Sequence, residues 1–306
     1  MRAALSPYHL TTREPAAMAT LLLAEEVVTL LPRPASTAGG ARSEAEAAAA
    51  RVPAFEGLLR AWEWSMPLWR AGVLVPDADG DGALSEARAA AQEIESQARF
   101  APLRRLLRPG LFEDGDAFLR AICSDVMRTG PDPALGVPVQ AGLDRLASRH
   151  GLVSVRSDRA TVVQRAEHRL GTRLGAFAAP ILVRGGAARA LSARERLADS
   201  LGALRRAIEA LAMGEAGSAD ELAGASRGYA GAFESAWPEV SRVAPEEERA
   251  VAGTAAVTLV RAPADVSLVA SLEAAGSGIT GGASEAGGPT GTVVLMVVRM
   301  IGRGGR

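Results

Sequence analysis

Lysine and asparagine are absent from this 306-residue chain, so every one of its 34 basic side chains is arginine. Schiff-base chemistry on a carbonyl substrate or on pyridoxal phosphate needs an amine that can shed its proton, and a guanidinium cannot supply one. The P-loop and kinase lysines are missing for the same reason. Without asparagine there is no N-glycosylation sequon, and glycine, present 33 times, must serve most left-handed backbone positions. GC-rich coding produces this bias toward arginine, alanine and glycine, so the arginine content is not itself read as a function.

Cys123 is the only cysteine, which removes internal disulfides, CxxC zinc or redox motifs and cysteine-ligated clusters. Apolar runs long enough to cross a bilayer are missing too. The first is broken by Glu25 and Glu26, and the last, residues 292–301, has about ten residues where a span needs about twenty. The opening segment has no apolar signal core. A soluble, cytoplasmic protein without a membrane partner is the expectation. Aromatics are scarce, 4% against 48% hydrophobic residues overall, so alanine, leucine and valine must fill the core, which favours close helix packing. Acidic and basic side chains nearly cancel, 35 against 34, which gives no global pull toward nucleic acid.

Periodicity predicts helix over most of the chain. Thr11 and Glu14 read as a capping box opening a helix that stops at Pro32. Residues 53–72 carry Phe55, Trp62, Trp64 and Trp69, read as a core anchor with a helix restart at Ser65 and Pro67. Further helices are expected from Ser85 to about residue 99, with a basic continuation to Gly110, and over 116–128, 138–150 and 159–174. Ser192 and Glu195 read as a second capping box ahead of Leu197, Leu201, Leu204, Ile208 and Leu211, and helices follow over 219–237 and 265–275. Strands are expected at 152–155, 178–184, 256–260 and 292–301. The fold class is mainly α (α+β), a multi-helix packed bundle with a small subsidiary β-sheet. Residues 1–275 form a helical globular core, with a sub-boundary near 151 left open; 276–291 are a Gly-rich linker, and 292–306 a C-terminal strand and tail.

Several local patterns invite a chemical reading. DADGDGALSEAR, residues 77–88, resembles the calcium loop of the EF-hand family over twelve residues. Asp77, Asp79, Asp81 and Gly82 match the first, third, fifth and sixth positions, where carboxylates ring a hard cation and glycine turns the chain. The resemblance implies calcium as the ligand. The twelfth position departs from it, with Arg88 where a bidentate glutamate belongs, and the alternative is a solvated acidic turn. GASRG, residues 224–228, satisfies the GxSxG nucleophile pattern around Ser226, yet its surroundings read as helix rather than strand and turn. GSGITG, residues 276–281, satisfies GxGxxG without the strand and helix a pyrophosphate needs, and reads as linker. His9, His150 and His168 are too scattered to show ligand spacing. Arg165, Arg169 and Arg173 form a basic stripe and Arg104, Arg105 and Arg108 a cluster, both read as solvated faces or internal salt links.

No pattern completes an active site in sequence. The leading expectation is therefore a non-catalytic interaction or scaffold protein with a protein partner and no cofactor. The first alternative is a divalent-cation binder using Asp77, Asp79 and Asp81. The second is an enzyme with a non-linear site that gathers Trp62 or Trp69 with a histidine and a carboxylate. Nucleic-acid binding through the arginine stripes ranks last.

Overall fold

The computed structural model describes the chain apart from residues 31–43, 77–81, 128–135, 157–160, 245–247, 264, 276–291 and 302–306. The fold is mainly α with a β component: among the described residues thirteen α-helices surround one seven-stranded sheet. The strands are β1 (Arg2–Ala4), β2 (Glu26–Thr29), β3 (Leu74–Pro76), β4 (Val153–Arg156), β5 (Thr172–Arg184), β6 (Val251–Ala262) and β7 (Thr292–Ile301). Their order across the sheet is β3-β2-β1-β4-β7-β6-β5. Strands β3, β2, β1, β4 and β7 run parallel, and β6 is antiparallel to both β7 and β5.

The helices are α1 (Pro7–Thr11), α2 (Pro15–Leu23), α3 (Glu44–Arg51), α4 (Ala54–Trp62), α5 (Met66–Arg70), α6 (Gly82–Ser96), α7 (Ala117–Val126), α8 (Gly136–His150), α9 (Thr161–Leu170), α10 (Ala187–Arg196), α11 (Ala198–Met213), α12 (Ser218–Val240) and α13 (Val266–Ala274). One layer groups α2 with α10, and α12 with α10 and α11, against β5. The other groups α8 with α6 and α13, and α13 with α9. The general preference for right-handed crossovers accounts for the split, because α2 carries the chain from β1 outward to β2 while α8 carries it back past β1 to β4.

The four expected strands are β4 to β7, and they are consecutive neighbours. Strand β7 pairs with β4 at Val293↔Val153 and with β6 at Val297↔Val257. Strands β1, β2 and β3 were not expected. The helix anticipated over residues 11–31 ends at Leu23, and Glu26–Thr29 form β2 instead. Apart from Glu25 and Glu26 the run is buried, so apolar periodicity there carries no directional signal, while the β-branched Val27 and Val28 fit a pleat. Neither capping box forms: Thr11 lies in α1, and Ser192 lies inside α10, with α11 starting at Ala198. Ser85 likewise sits within α6, which begins at Gly82, and the basic continuation is a 3-10 segment, Ala98–Leu106. The helix expected to reach 174 stops at Leu170, so Arg173 belongs to β5 and the three-arginine stripe is not one helical face.

Arginine does the capping that the missing lysines and asparagines cannot. The last carbonyls of α2 have no helical partner, and two guanidiniums from α10 and α11 fill them. Arg194 donates to Leu21 O at 2.7 Å and Arg205 to Leu23 O at 2.6 Å and Ala24 O at 3.1 Å. Burial, with Arg205 alongside, pulls the Arg194 guanidinium down to about 10. At the sheet edge, α12 covers β5: Ser226 Oγ donates to Ala178 O at 2.7 Å and Tyr229 Oη to Pro180 O at 2.8 Å. Proline has no N–H for a ladder, so an edge strand is where Pro180 is tolerated.

Candidate functional site

In a doubly wound sheet, ligands bind beyond the carboxyl ends of the parallel strands, where successive crossovers diverge. That point lies between β1 and β4 here, since β2 flanks β1 on one side and β4 on the other. The β1–β4 pairing ends at Ala4 and Ser154, so Ser6 and Arg156, each two residues beyond, share one edge. A polar grouping follows each strand.

The first is built by the turn out of β1. Ser6 stays extended (φ −61°, ψ 133°), its Oγ accepts the Tyr8 amide at 3.3 Å, and Pro7 starts α1. After Thr12, Arg13 takes a left-handed φ of 49°, and Glu14 is extended ahead of Pro15 as a residue before proline prefers to be. A non-glycine residue in that region stores strain and is found disproportionately at functional sites. The corner brings His9 back onto Glu14: Nδ1 stands 3.0 Å from Oε2, with side chains only 12% and 2% exposed. The Glu14 amide donates to the His9 carbonyl at 3.1 Å.

Tryptophans brace this corner. Trp62 Nε1 donates to Thr11 Oγ1 at 2.8 Å, and Trp62 stacks on Trp69 with ring centres 6.2 Å apart. Ser65 Oγ donates to Trp62 O at 2.6 Å and accepts Trp69 Nε1 at 3.2 Å. The Arg13 guanidinium lies 4.8 Å from the centre of the Trp64 ring and pairs with Glu248 at 3.1 Å. His9 Nδ1 makes no aligned hydrogen bond, and Trp64 Nε1 and, at the end of β2, Thr29 Oγ1 are buried with no hydrogen-bond partner. Native interiors leave few such atoms, so each of them calls for a reason.

No family model, curated protein or solved structure matches the chain. Function must therefore be argued from the site.

The second grouping follows β4. Arg156 is buried, and its Nε donates to Glu167 Oε1 at 2.7 Å, one terminal nitrogen to Ser154 Oγ at 2.9 Å, and the other to Asp144 Oδ2 at 2.8 Å and Ser267 Oγ at 2.9 Å. Ser154 donates to Asp144 Oδ1 at 2.7 Å, and Ser267 donates to its Oδ2. Four of the five guanidinium N–H groups thus hold β4, α8, α9 and α13 together, which commits Arg156 chiefly to internal structure.

The sequence-derived candidates that lie among the described residues are not brought together. Asp77, Asp79 and Asp81 lie outside the described residues, as does GSGITG. Arg88, at the twelfth loop position, donates to Gly115 O at 2.9 Å and lies 5.6 Å from the Phe118 ring centre. No group of three or more histidine, cysteine, aspartate or glutamate side chains that could hold a metal occurs among the described residues. Ser226 sits inside α12 with its hydroxyl spent on β5. Cys123 is buried in α7, and burial pushes its thiol up to about 12. His168 is pulled down by burial and by Arg173. Arg104 turns to Ile94 O, Arg108 to Asp125 and Arg169 to Glu273. At the switch point His9 meets a carboxylate, and Trp62 bonds to Thr11 at the end of the same helix. The pairing left no motif, because His9 and Glu14 face each other across a turn rather than along a helix.

Proposed function

We propose that the protein is an enzyme acting on a small polar molecule at the carboxyl edge of the sheet, with His9 as the proton-transfer group and Glu14 as the carboxylate that orients it. The reading rests on the enclosed His9–Glu14 contact of 3.0 Å beside the β1/β4 switch point. With Nδ1 turned to the carboxylate, Nε2 lies on the opposite side of the ring. There it accepts a proton from water or a substrate hydroxyl while Glu14 stabilises the imidazolium that forms. The chain supplies no lysine for covalent carbonyl chemistry, and its buried, proton-holding Cys123 makes a poor nucleophile. Proton transfer from a bound water or hydroxyl is the chemistry these residues favour. In the same reading the protein works in the cytoplasm, with which its lone thiol is compatible, and needs no nucleic-acid partner.

The test is a panel of nitrophenyl carboxylic and phosphoric esters. Turnover by the wild-type protein should fall about 100-fold or more in His9→Gln, and by less in Glu14→Gln, as removal of a general base and of its orienting group predicts. Equal rates in wild type and His9→Gln would overturn the reading and return the protein to the class of non-catalytic interaction or scaffold proteins.

A further inference from the structure

We propose that the Arg156–Asp144–Glu167 cluster is a proton-gated fastener: with Glu167 protonated it holds α9 against β4 and α13, and loss of that proton loosens α9. The geometry sets two carboxylates on one guanidinium, all three side chains at most 5% exposed. If both acids were ionised the cluster would carry an unbalanced negative charge out of contact with water, which is costly. The acids are unequally served. Ser154, Gln140, Arg156 and Ser267 all donate to Asp144, whereas Glu167 receives Arg156 Nε alone and its Oε2 has no partner. Glu167 is therefore the acid a proton joins.

Among the described residues, cations of the neighbouring elements turn elsewhere. On α9 itself, Arg169 is taken by Glu273 of α13, and His168 is disfavoured as a cation by burial and by Arg173 at the start of β5. On α8, Arg145 pairs with Glu93 and Arg149 with Glu86. On β6, Arg261 turns to the Ala212 carbonyl. Burial raises the Glu167 carboxyl above its ordinary value; Arg156 opposes the rise and Asp144 adds to it. The sign follows from linkage. Closed α9 holds the proton more tightly than open α9, so the fastening is complete below the ordinary glutamate value and weakens as pH rises toward the raised one. Alkalinisation is the releasing direction, opposite to that of most ion-paired carboxylates.

Amide hydrogen exchange of the full chain, corrected for the intrinsic pH dependence of exchange, reads this directly. Protection of α9 should fall by about tenfold per pH unit between the ordinary glutamate value and the raised one, the slope for one released proton, and level off above it, while α11 keeps its protection. In Glu167→Gln, which keeps the neutral shape, α9 protection should be independent of pH. A pH-independent α9 in the wild type, or the same slope in Glu167→Gln, would overturn the proposal. If the variant does not fold, infrared difference spectra of the wild type decide. A buried protonated carboxyl band that disappears as α9 protection falls supports the fastener, and absence of that band at every pH contradicts it.

Discussion

Ser226 and Tyr229 show how a side chain's partner decides its role. Both hydroxyls end on carbonyls of β5, so Ser226 is a fastener despite its GxSxG setting. Ser226→Ala should cost about 1 kcal/mol in chemical unfolding, and Tyr229→Phe about 1–2 kcal/mol, since each strands a carbonyl acceptor. Neither should change turnover beyond its effect on stability; loss of turnover in folded Ser226→Ala would restore the serine as a nucleophile. Cys123 gives a parallel prediction. With its thiol buried and pushed up to about 12, it should resist iodoacetamide in the native protein and react on denaturation. Rapid native labelling would show that α7 opens.

Elements packed at van der Waals limits reveal which positions have no room. A Cβ at Gly142 of α8 would stand 2.7 Å from the Ala87 backbone nitrogen of α6, so the two helices meet backbone to backbone only because glycine is there. Gly142→Ala should destabilise by about 1–3 kcal/mol. Gly57, inside α4 with nothing within 4 Å, should instead gain about 0.5–1 kcal/mol on conversion to alanine. Thermal unfolding of the two variants distinguishes them by sign. Legibility in the sequence follows the same local logic. Helices α8 and α12 were readable because their apolar stripes contrast with polar neighbours and, for α8, because Gly151 with φ 63° follows the last turn. Strands β1, β2 and β3, of three or four residues, are too short for alternation to register, and β2 follows the apolar residues of α2 with only Ala24 and Glu25 between them. His9 and Glu14 were invisible as a pair because the capping-box reading assigned Glu14 to a helix start. The actual start is set by Pro15, with Glu14 extended and turned inward.

At the scale of the molecule, the sheet is closed by its last strand. Strand β7 lies between β4 and β6, joining the parallel half to the antiparallel half. A chain ending at residue 291 should therefore lose cooperative unfolding and its near-ultraviolet circular dichroism, because both neighbours become unpaired edges. No described helix is long and apolar enough to cross a membrane. The topology and the His9–Glu14 corner converge on one place, the carboxyl edge at the β1/β4 switch point. Crystals of the wild-type protein soaked with a diverse small-fragment collection test that convergence most directly. Fragments seated against His9 beyond the end of β1, and displaced from there in His9→Gln crystals, are the predicted result. Fragments bound only elsewhere, with the corner passed over in every data set, would contradict it.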